Sequence, residues 1–323
     1  MSDNNEVNQP LVSIIVITYN SLKYVIETLD SAKAQTYQNI ELIVSDDCST
    51  DITVEICREW IEKNKERFVR TELIAVDRNS GIPANCNRGI KAAKGRWVKL
   101  IAGDDVLYFD AIEKCVSFVN TNKDVSFLFG KVSIYRNNFE ECNLLTCRGS
   151  VTDNVNKVLT PELQYEIMLR ENVVWSATWF VKRELFESMG YYDERYILFE
   201  DRPFLLKITK CKVRIFFVDI FVAKYRRSEQ SVQLKKRKEL YSVFTISKDL
   251  FCLDNSLKDY TLKERLLIKL MIDFRVFLAK ISNNKYNVLL GIINYLIMYL
   301  PTRILGLIFK RQIKNIVDKC RNT

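Results

Sequence analysis

Leu11–Ile17 reads LVSIIVI, a short and almost unbroken apolar run rich in β-branched residues. Such a run suits a strand covered on both faces, as at the centre of a parallel sheet. Asn20 and Ser21 follow as turn and helix-cap residues, and Tyr24–Ala34 then carries Val25, Leu29 and Ala32 at helical spacing. The pattern recurs. Ile40–Val44 predicts a second buried strand, Asp46–Asp51 a polar loop, Ile52–Asn64 a helix and Thr71–Val76 a third strand. Asn85–Ala93 predicts a helix stopped by Gly95, and Trp97–Ile101 a fourth strand. This alternation of strand and helix predicts an α/β fold with a parallel core.

The rhythm weakens after that. Ala111–Asn120, Pro161–Arg170 and Asp201–Thr209 read as helices, as does a segment starting at Arg183. Val125–Ile134, Trp179–Val181 and Arg214–Val222 read as strands, and Asn137–Asn156 as an irregular polar loop. From about Lys235 the chain reads as helix throughout. Leu266, Leu267, Leu270, Met271, Phe274, Phe277, Leu278 and Ile281 form an apolar stripe at helical spacing. Tyr286–Phe309 carries one charge, Arg303, and is about as long as the ~20 apolar residues that cross a bilayer. Asn294 and Pro301 interrupt it, and Lys310, Arg311 and Lys314 follow, a pattern that predicts two interfacial helices broken near Pro301. Ordinary packing as a helical cap is the competing expectation. The expected organisation is a disordered tail over 1–10, an α/β unit over 11–234 and a basic, apolar helical region over 235–323.

Charge sharpens that division. The chain carries 49 basic and 40 acidic residues, a net charge of +9. From Lys235 onward 18 basic residues face 7 acidic ones, so the surplus belongs to the C-terminal quarter. Such asymmetry points to an anionic partner for that quarter, membrane lipid or nucleic acid, with a solvated basic face as the alternative. Lys235–Lys238 is the only compact basic run, and no recognition motif accompanies it.

The chain has no histidine. That excludes Ser-His-Asp and Cys-His nucleophile systems and every His-containing metal site. A hard cation would need carboxylate oxygens, which favours Mg²⁺ or Mn²⁺ over Zn²⁺. The nine cysteines are scattered, odd in number and form no CxxC pair. They read as free thiols in a reducing compartment. Met1–Pro10 is polar and acidic, unlike a signal peptide, so a cytoplasmic location is expected.

In an open parallel sheet ligands bind beyond the C-terminal ends of the strands. The residues there are Thr18-Tyr19-Asn20, then Asp46-Asp47, then Asp77 and Asn79, and finally Gly103-Asp104-Asp105. Two acidic pairs at one sheet edge repel each other unless a cation or donors neutralise them. A divalent metal carrying a diphosphate is an economical solution. The first strand–helix turn reads TYNSLK, without the glycines of a dinucleotide fingerprint, and no P-loop is present.

VSIIVITYNSLKYVIETLDSAKAQTYQNIELIVSDDCSTD resembles the opening of family 2 glycosyltransferases with the GT-A fold. The resemblance continues through NSGIPANCNRGIKAAKGRWVKLIAGDD and GYYDERYILFEDRPFLLKIT, and covers roughly Leu11–Ser231. It implies a mostly parallel, Rossmann-like sheet flanked by helices and a nucleotide-sugar donor, typically a UDP-sugar. It further implies that Thr18 and Tyr19 line the base and that Asp47 accepts a hydrogen bond from it. Asn87 matches an Asn near the donor. Asp104 would contact ribose or donor sugar, and Asp105 would ligate Mn²⁺ or Mg²⁺. Asp201, preceded by Glu200, matches the general base of a single, inverting displacement. Two positions depart from the family pattern: Ala102 stands where its first acid is usual, and Cys86 where an Arg is usual. One protein carboxylate would then hold the metal, with diphosphate oxygens and water completing its shell.

The resulting expectation is a hexose or N-acetylhexosamine transferase. It would act on a polyprenyl-diphosphate-linked glycan at the inner leaflet, in capsule, O-antigen or related surface polysaccharide assembly. Trp175 and Trp179 are candidate acceptor walls. Tyr225-Arg226-Arg227 with Ser228 and Ser231 is a candidate diphosphate clasp or a solvated basic turn. A metal-dependent nucleotidyltransferase and a nucleic-acid-binding protein are the alternatives.

Overall fold

The computed structural model describes residues 9–149, 160–171, 174–228 and 239–321. The basic run Lys235–Lys238, Ser231 and most of the expected N-terminal tail lie outside the described residues.

Four strands form as the apolar runs predict: β1 (Val12–Thr18), β2 (Ile40–Asp46), β3 (Arg70–Ala75) and β4 (Trp97–Ala102). They pair in parallel in the order β3-β2-β1-β4, with Thr18 opposite Asp46 at the ends of β1 and β2. Helices α1 (Val25–Lys33), α2 (Thr53–Asn64) and α3 (Ile82–Ala92) make the crossovers. Ile14 and Val16 pack into one core cluster and Ile15 into the other, so β1 is covered on both faces, as its β-branched run requires.

The second half of the sheet is mixed. It contains β5 (Val106–Leu107), β6 (Phe127–Arg136), β7 (Leu144–Arg148), β8 (Phe180–Lys182) and β9 (Phe216–Arg227). β8 runs antiparallel between β4 and β6, and β9 runs parallel to β6. β5, just after Asp105, pairs antiparallel with β9, so the chain's late strand returns beside the Asp104-Asp105 turn. β7 was not expected: it pairs with the outer part of β6 inside the segment that reads as a loop. Its residues are mostly exposed, so burial imposes little apolar pattern on them. Helices α4 (Ala111–Thr121), α5 (Pro161–Met168), α6 (Arg183–Met189) and α7 (Asp201–Lys210) cover the sheet.

Three helices complete the chain: α8 (Val243–Phe251), α9 (Leu262–Ser282) and α10 (Val288–Arg321). α9 starts with a capping box between Thr261 and Glu264, and the buried Glu264 pairs with Arg170 after α5 at 3.0 Å. This ion pair ties the C-terminal helices to the α/β layer. One expectation is corrected here. The chain runs through Pro301 as one helix instead of breaking there. Pro inside a helix costs about 3 kcal/mol. Packing on its far side offsets that cost: Leu305 and Ile313 are buried, and Phe309 stacks on Tyr260 at 6.1 Å. The apolar stripe of α9 faces outward in large part. Leu266, Leu270, Phe277 and Ile281 are exposed, and only Ile272 and Leu278 are buried apolar residues.

Candidate active site

The ends of β1, β2 and β4 are bonded to one another. Thr18 Oγ1 donates to Asp46 Oδ2 at 2.7 Å, the Asp47 amide donates to Thr18 O at 3.0 Å, and the Gly103 amide donates to Ile17 O at 2.9 Å. Gly103 has no room for a side chain: a Cβ would lie 2.9 Å from Thr18 Cγ2 and 3.1 Å from Ser21 Oγ. This close approach explains the glycine inside Ala102-Gly103-Asp104-Asp105. Tyr19 is 51% exposed at the same rim, an open aromatic face beside the buried Thr18.

Asp47 is buried and densely bonded. Its carboxylate accepts from the Ser80 amide and hydroxyl, the Gly81 amide at 2.7 Å and Arg88 Nη2 at 2.6 Å. Burial alone would raise its pKa, but these donors hold the carboxyl below its usual range. The Ser80 hydroxyl also accepts from Arg88 Nη1 at 2.7 Å, so Asp47, Ser80 and Arg88 form one closed network. Asn87 sits elsewhere. Its Nδ2 donates to Tyr192 O at 3.0 Å and Glu194 Oε1 at 2.8 Å, and its Oδ1 accepts from the Tyr192 amide at 3.0 Å. Its side chain therefore clamps the segment leading towards Glu200-Asp201. Asn85 is the asparagine at the strand ends, donating to Thr18 O at 3.1 Å and accepting from Ser45 Oγ at 2.6 Å.

Asp105 is buried, and its Oδ1 accepts from the Arg226 amide at 2.8 Å. Burial drives the Asp105 carboxyl well up, and neighbouring Asp104 adds to this; burial also raises Asp104. The charges of Arg226 and Lys99 offset only part of the effect on Asp105. Two adjacent carboxyls so destabilised in their ionised form fit a site that a cation completes. Among the described residues no group of three or more Cys, Asp or Glu side chains could hold a metal. A divalent ion here would therefore rest on Asp105, with Asp104 beside it, and take most of its shell from phosphate and water.

Two buried cations frame this turn, and sequence patterning hid both roles. Arg226 is 2% exposed. Its Nε donates to Asp104 O at 2.8 Å, Nη1 donates to Asn137 O, and Nη2 pairs with Glu27. Its guanidinium lies 4.2 Å from the Tyr24 ring and 4.1 Å from the Phe139 ring. It is neither a solvated turn residue nor open to a diphosphate. Instead it buttresses the Asp104-Asp105 turn. Lys99 is fully buried in β4, and burial pushes its ammonium pKa down to about 7. Nζ donates to Leu100 O at 2.9 Å and Ala177 O at 2.5 Å, which fixes the turn between Trp175 and Trp179. Trp179 is buried core, edge-on to Phe127 at 5.0 Å, whereas Trp175 meets Tyr225 edge-on at 5.4 Å. The burial of Tyr225 raises its phenol to about 12, with the fields of Asp105 and Asp104 adding to the shift. Trp175 thus stands on the Asp104-Asp105 side, and Trp179 does not line a site.

Glu200 and Asp201 are half-buried at the start of α7. Burial, then the charge of Asp201, raise Glu200 to about 8; burial also raises Asp201, whose Oδ1 accepts from the Arg202 amide at 2.6 Å. Both carboxyls are therefore harder to ionise than free ones, and Glu200 carries the charge of its neighbour as a second cause beside burial. Cys86 on α3 lies within the electrostatic reach of Glu200 and of Asp47. Its buried thiol is raised first by desolvation and further by the fields of both Glu200 and Asp47.

Residues 13–190 match the family model described as glycosyl transferase family 2. The chain belongs to glycosyltransferase family 2. This glycosyltransferase is 27% identical over 252 residues to an uncharacterized glycosyltransferase of Methanocaldococcus jannaschii, covering 75% of this chain and 80% of that one. It is 28% identical over 231 residues to the glycosyltransferase GlyG of Streptococcus pneumoniae, covering 69% and 72%. A third relative is the putative teichuronic acid biosynthesis glycosyltransferase TuaG of Bacillus subtilis, 30% identical over 177 residues, covering 54% and 64%. Among solved structures, S. aureus TarS 1–349 in complex with UDP-GlcNAc superposes with a TM-score of 0.56 at 22% identity, over 80% of this chain and 70% of that one. The chain spans 42% of a longer TarS chain that it also matches. The fold is therefore GT-A-like, as the sequence resemblance implies, and the chain is a transferase.

Proposed function

We propose that this enzyme transfers a hexose or N-acetylhexosamine from a UDP-sugar to a polyprenyl-diphosphate-linked glycan, with inversion, in surface polysaccharide assembly. The observation that carries the reading is the convergence of Thr18, Asp47 and the Gly103-Asp104-Asp105 turn on neighbouring, mutually bonded strand ends. The UDP-GlcNAc in the TarS complex supports the donor class, and the name of TuaG supports the polysaccharide setting.

In this reading Tyr19 stacks on the base and Asp47 meets its N–H. Asp104 touches ribose or sugar, and Asp105 holds Mn²⁺ or Mg²⁺. The ion supplies charge stabilisation for a nucleoside-diphosphate leaving group. Arg226 keeps the two acids at fixed depth. Asp201 takes the proton of the acceptor hydroxyl as it attacks the anomeric carbon, a contribution typically of ~10²–10⁴-fold. Glu200, protonated, lowers the charge repulsion that a second carboxylate would add.

The C-terminal helices supply the acceptor's surroundings. Within the apolar stretch Val288–Ile316 only Leu305 and Ile313 are buried. Leu289, Ile292, Tyr295, Leu296 and Leu300 are exposed, and the first charge after them is Arg303. An exposed apolar face with basic residues beyond it suits the interface of an anionic bilayer at the cytoplasmic leaflet. The experiment is a panel of UDP- and dTDP-sugars with Mn²⁺, scored for nucleotide release and for lipid-linked product by mass spectrometry. Release of UDP with gain of a sugar on the lipid is expected. Release of pyrophosphate, or no turnover of any donor, contradicts the reading.

A further inference from the structure

Beside the site lie two cavities, of about 330 and 420 Å³, that share Tyr191, Asp193, Arg195 and Lys207. None of Asp47, Asp104, Asp105 or Asp201 lines either of them. One cavity reaches Asn87 and Lys91 on α3; the other reaches Tyr165 on α5 and Asn255 to Asp259 after α8. The four shared residues make the two adjoin, and we treat them as one groove along the segment that Asn87 clamps and that runs on to Glu200-Asp201.

The backbone at the groove is unusual. Gly190 ends α6 in the left-handed region at φ 75°, and Tyr191 follows at φ 66°. A bulky residue there is a genuine outlier, with a cost on the order of 1–3 kcal/mol, and such outliers cluster at functional sites. The strain fixes a half-buried tyrosine that lines both cavities, with Lys91 Nζ 5.1 Å from its ring centroid. Five basic side chains line the groove against three carboxylates. Arg195 is paired with Asp193 and Lys210 with Asp259, whereas Lys207 donates to the Met189 carbonyl and, among the described residues, forms no ion pair, its charge reaching Asp193 through the field alone. Aromatic rings, side-chain donors and surplus positive charge at one groove are the chemistry that recognises an acidic saccharide: a C–H face to cover, hydroxyls to bond and a carboxylate or phosphate to neutralise.

We propose that this groove is a second saccharide-binding subsite, in which Tyr191 and Lys207 hold an anionic sugar of the acceptor glycan away from the point of transfer. The inference rests on the glycan acceptor of the proposed function and names the part of that acceptor gripped outside the reacting centre. Remote binding of this kind orders the acceptor before its hydroxyl reaches Asp201.

The test is saturation-transfer-difference NMR on the full chain with two probes, tetragalacturonate and a hyaluronan tetrasaccharide, each with and without saturating UDP. Binding of at least one probe is expected, undiminished by UDP and weakened by raising salt from ~0.05 to ~0.3 M. Tyr191→Asn keeps a residue that tolerates the left-handed backbone. This variant and Lys207→Gln should each weaken probe binding about tenfold or more, while UDP affinity stays at the wild-type value. The subsite is refuted if neither probe binds, if UDP displaces the probe, or if Tyr191→Asn binds it as tightly as wild type. UDP binding in the same samples reports on the donor site separately, so loss of the subsite and loss of the transferase reading give different results.

Discussion

Replacing Arg226 by Met removes a guanidinium and keeps most of the apolar stem. Two carbonyls, Asp104 O and Asn137 O, then lose their donor in part-buried hydrogen bonds. Each such loss costs about 1–3 kcal/mol, and the exposed Asn137 stands at the low end of the cost. Contacts to the Tyr24 and Phe139 rings go too, at roughly 0.5–2 kcal/mol each. Against this, a fully buried charge no longer needs desolvation, which returns several kcal/mol, and its partner Glu27 is half-exposed and can rehydrate. The net expectation is a loss of about 2–4 kcal/mol, read as a lower urea midpoint at unchanged slope. The functional effect is separate. The Asp105 bond to the Arg226 amide survives, but the Asp104 carbonyl is released, and misplacement by about 1 Å can cost on the order of 10²-fold in rate. Arg226→Lys keeps the charge, loses the fork and should fall between wild type and Met. The assay pairs urea unfolding with UDP affinity in Mn²⁺. A Met variant with the wild-type urea midpoint and UDP affinity would show that Arg226 does not set the geometry of the acid pair.

Other predictions follow the same geometry. Asp201→Asn should lower the transfer rate by ~10²–10⁴-fold and leave UDP affinity unchanged, as measured by turnover and titration calorimetry. A pKa of about 8 for Glu200 lies above its unfolded value, so the stability it contributes is full in acid and is lost as pH rises through about 8. Glu200→Gln should therefore flatten the fall in unfolding free energy between about pH 5 and 8, by on the order of 3 kcal/mol; an unchanged pH profile refutes this. Ile292→Asp with Leu296→Asp should abolish sedimentation with anionic vesicles without changing UDP affinity, and wild-type sedimentation of that variant would remove the membrane role.

The sequence is most legible where burial is two-sided. β1, β2 and β4 are read correctly because their apolar runs answer to cores on both faces. β7 is illegible because an exposed edge strand needs no such pattern. Lys99 and Arg226 escape for the opposite reason: charged residues read as solvated, and only the fold supplies the carbonyls and rings that make their burial tolerable. Asn87 and Asn85 stand two residues apart on one helix, and nothing in their spacing says which meets the strand ends and which the Tyr192 segment. Pro301 signals a helix break, yet packing beyond it carries the helix through.

The central claim is that the Asp104-Asp105 turn binds a metal-held nucleoside diphosphate. Titration calorimetry of UDP into wild type and Asp105→Ala, with Mn²⁺ and then with EDTA, tests it most directly. Wild-type binding should weaken at least tenfold in EDTA, and Asp105→Ala in Mn²⁺ should match that weakened value. Equal UDP affinity in all four titrations would contradict the account.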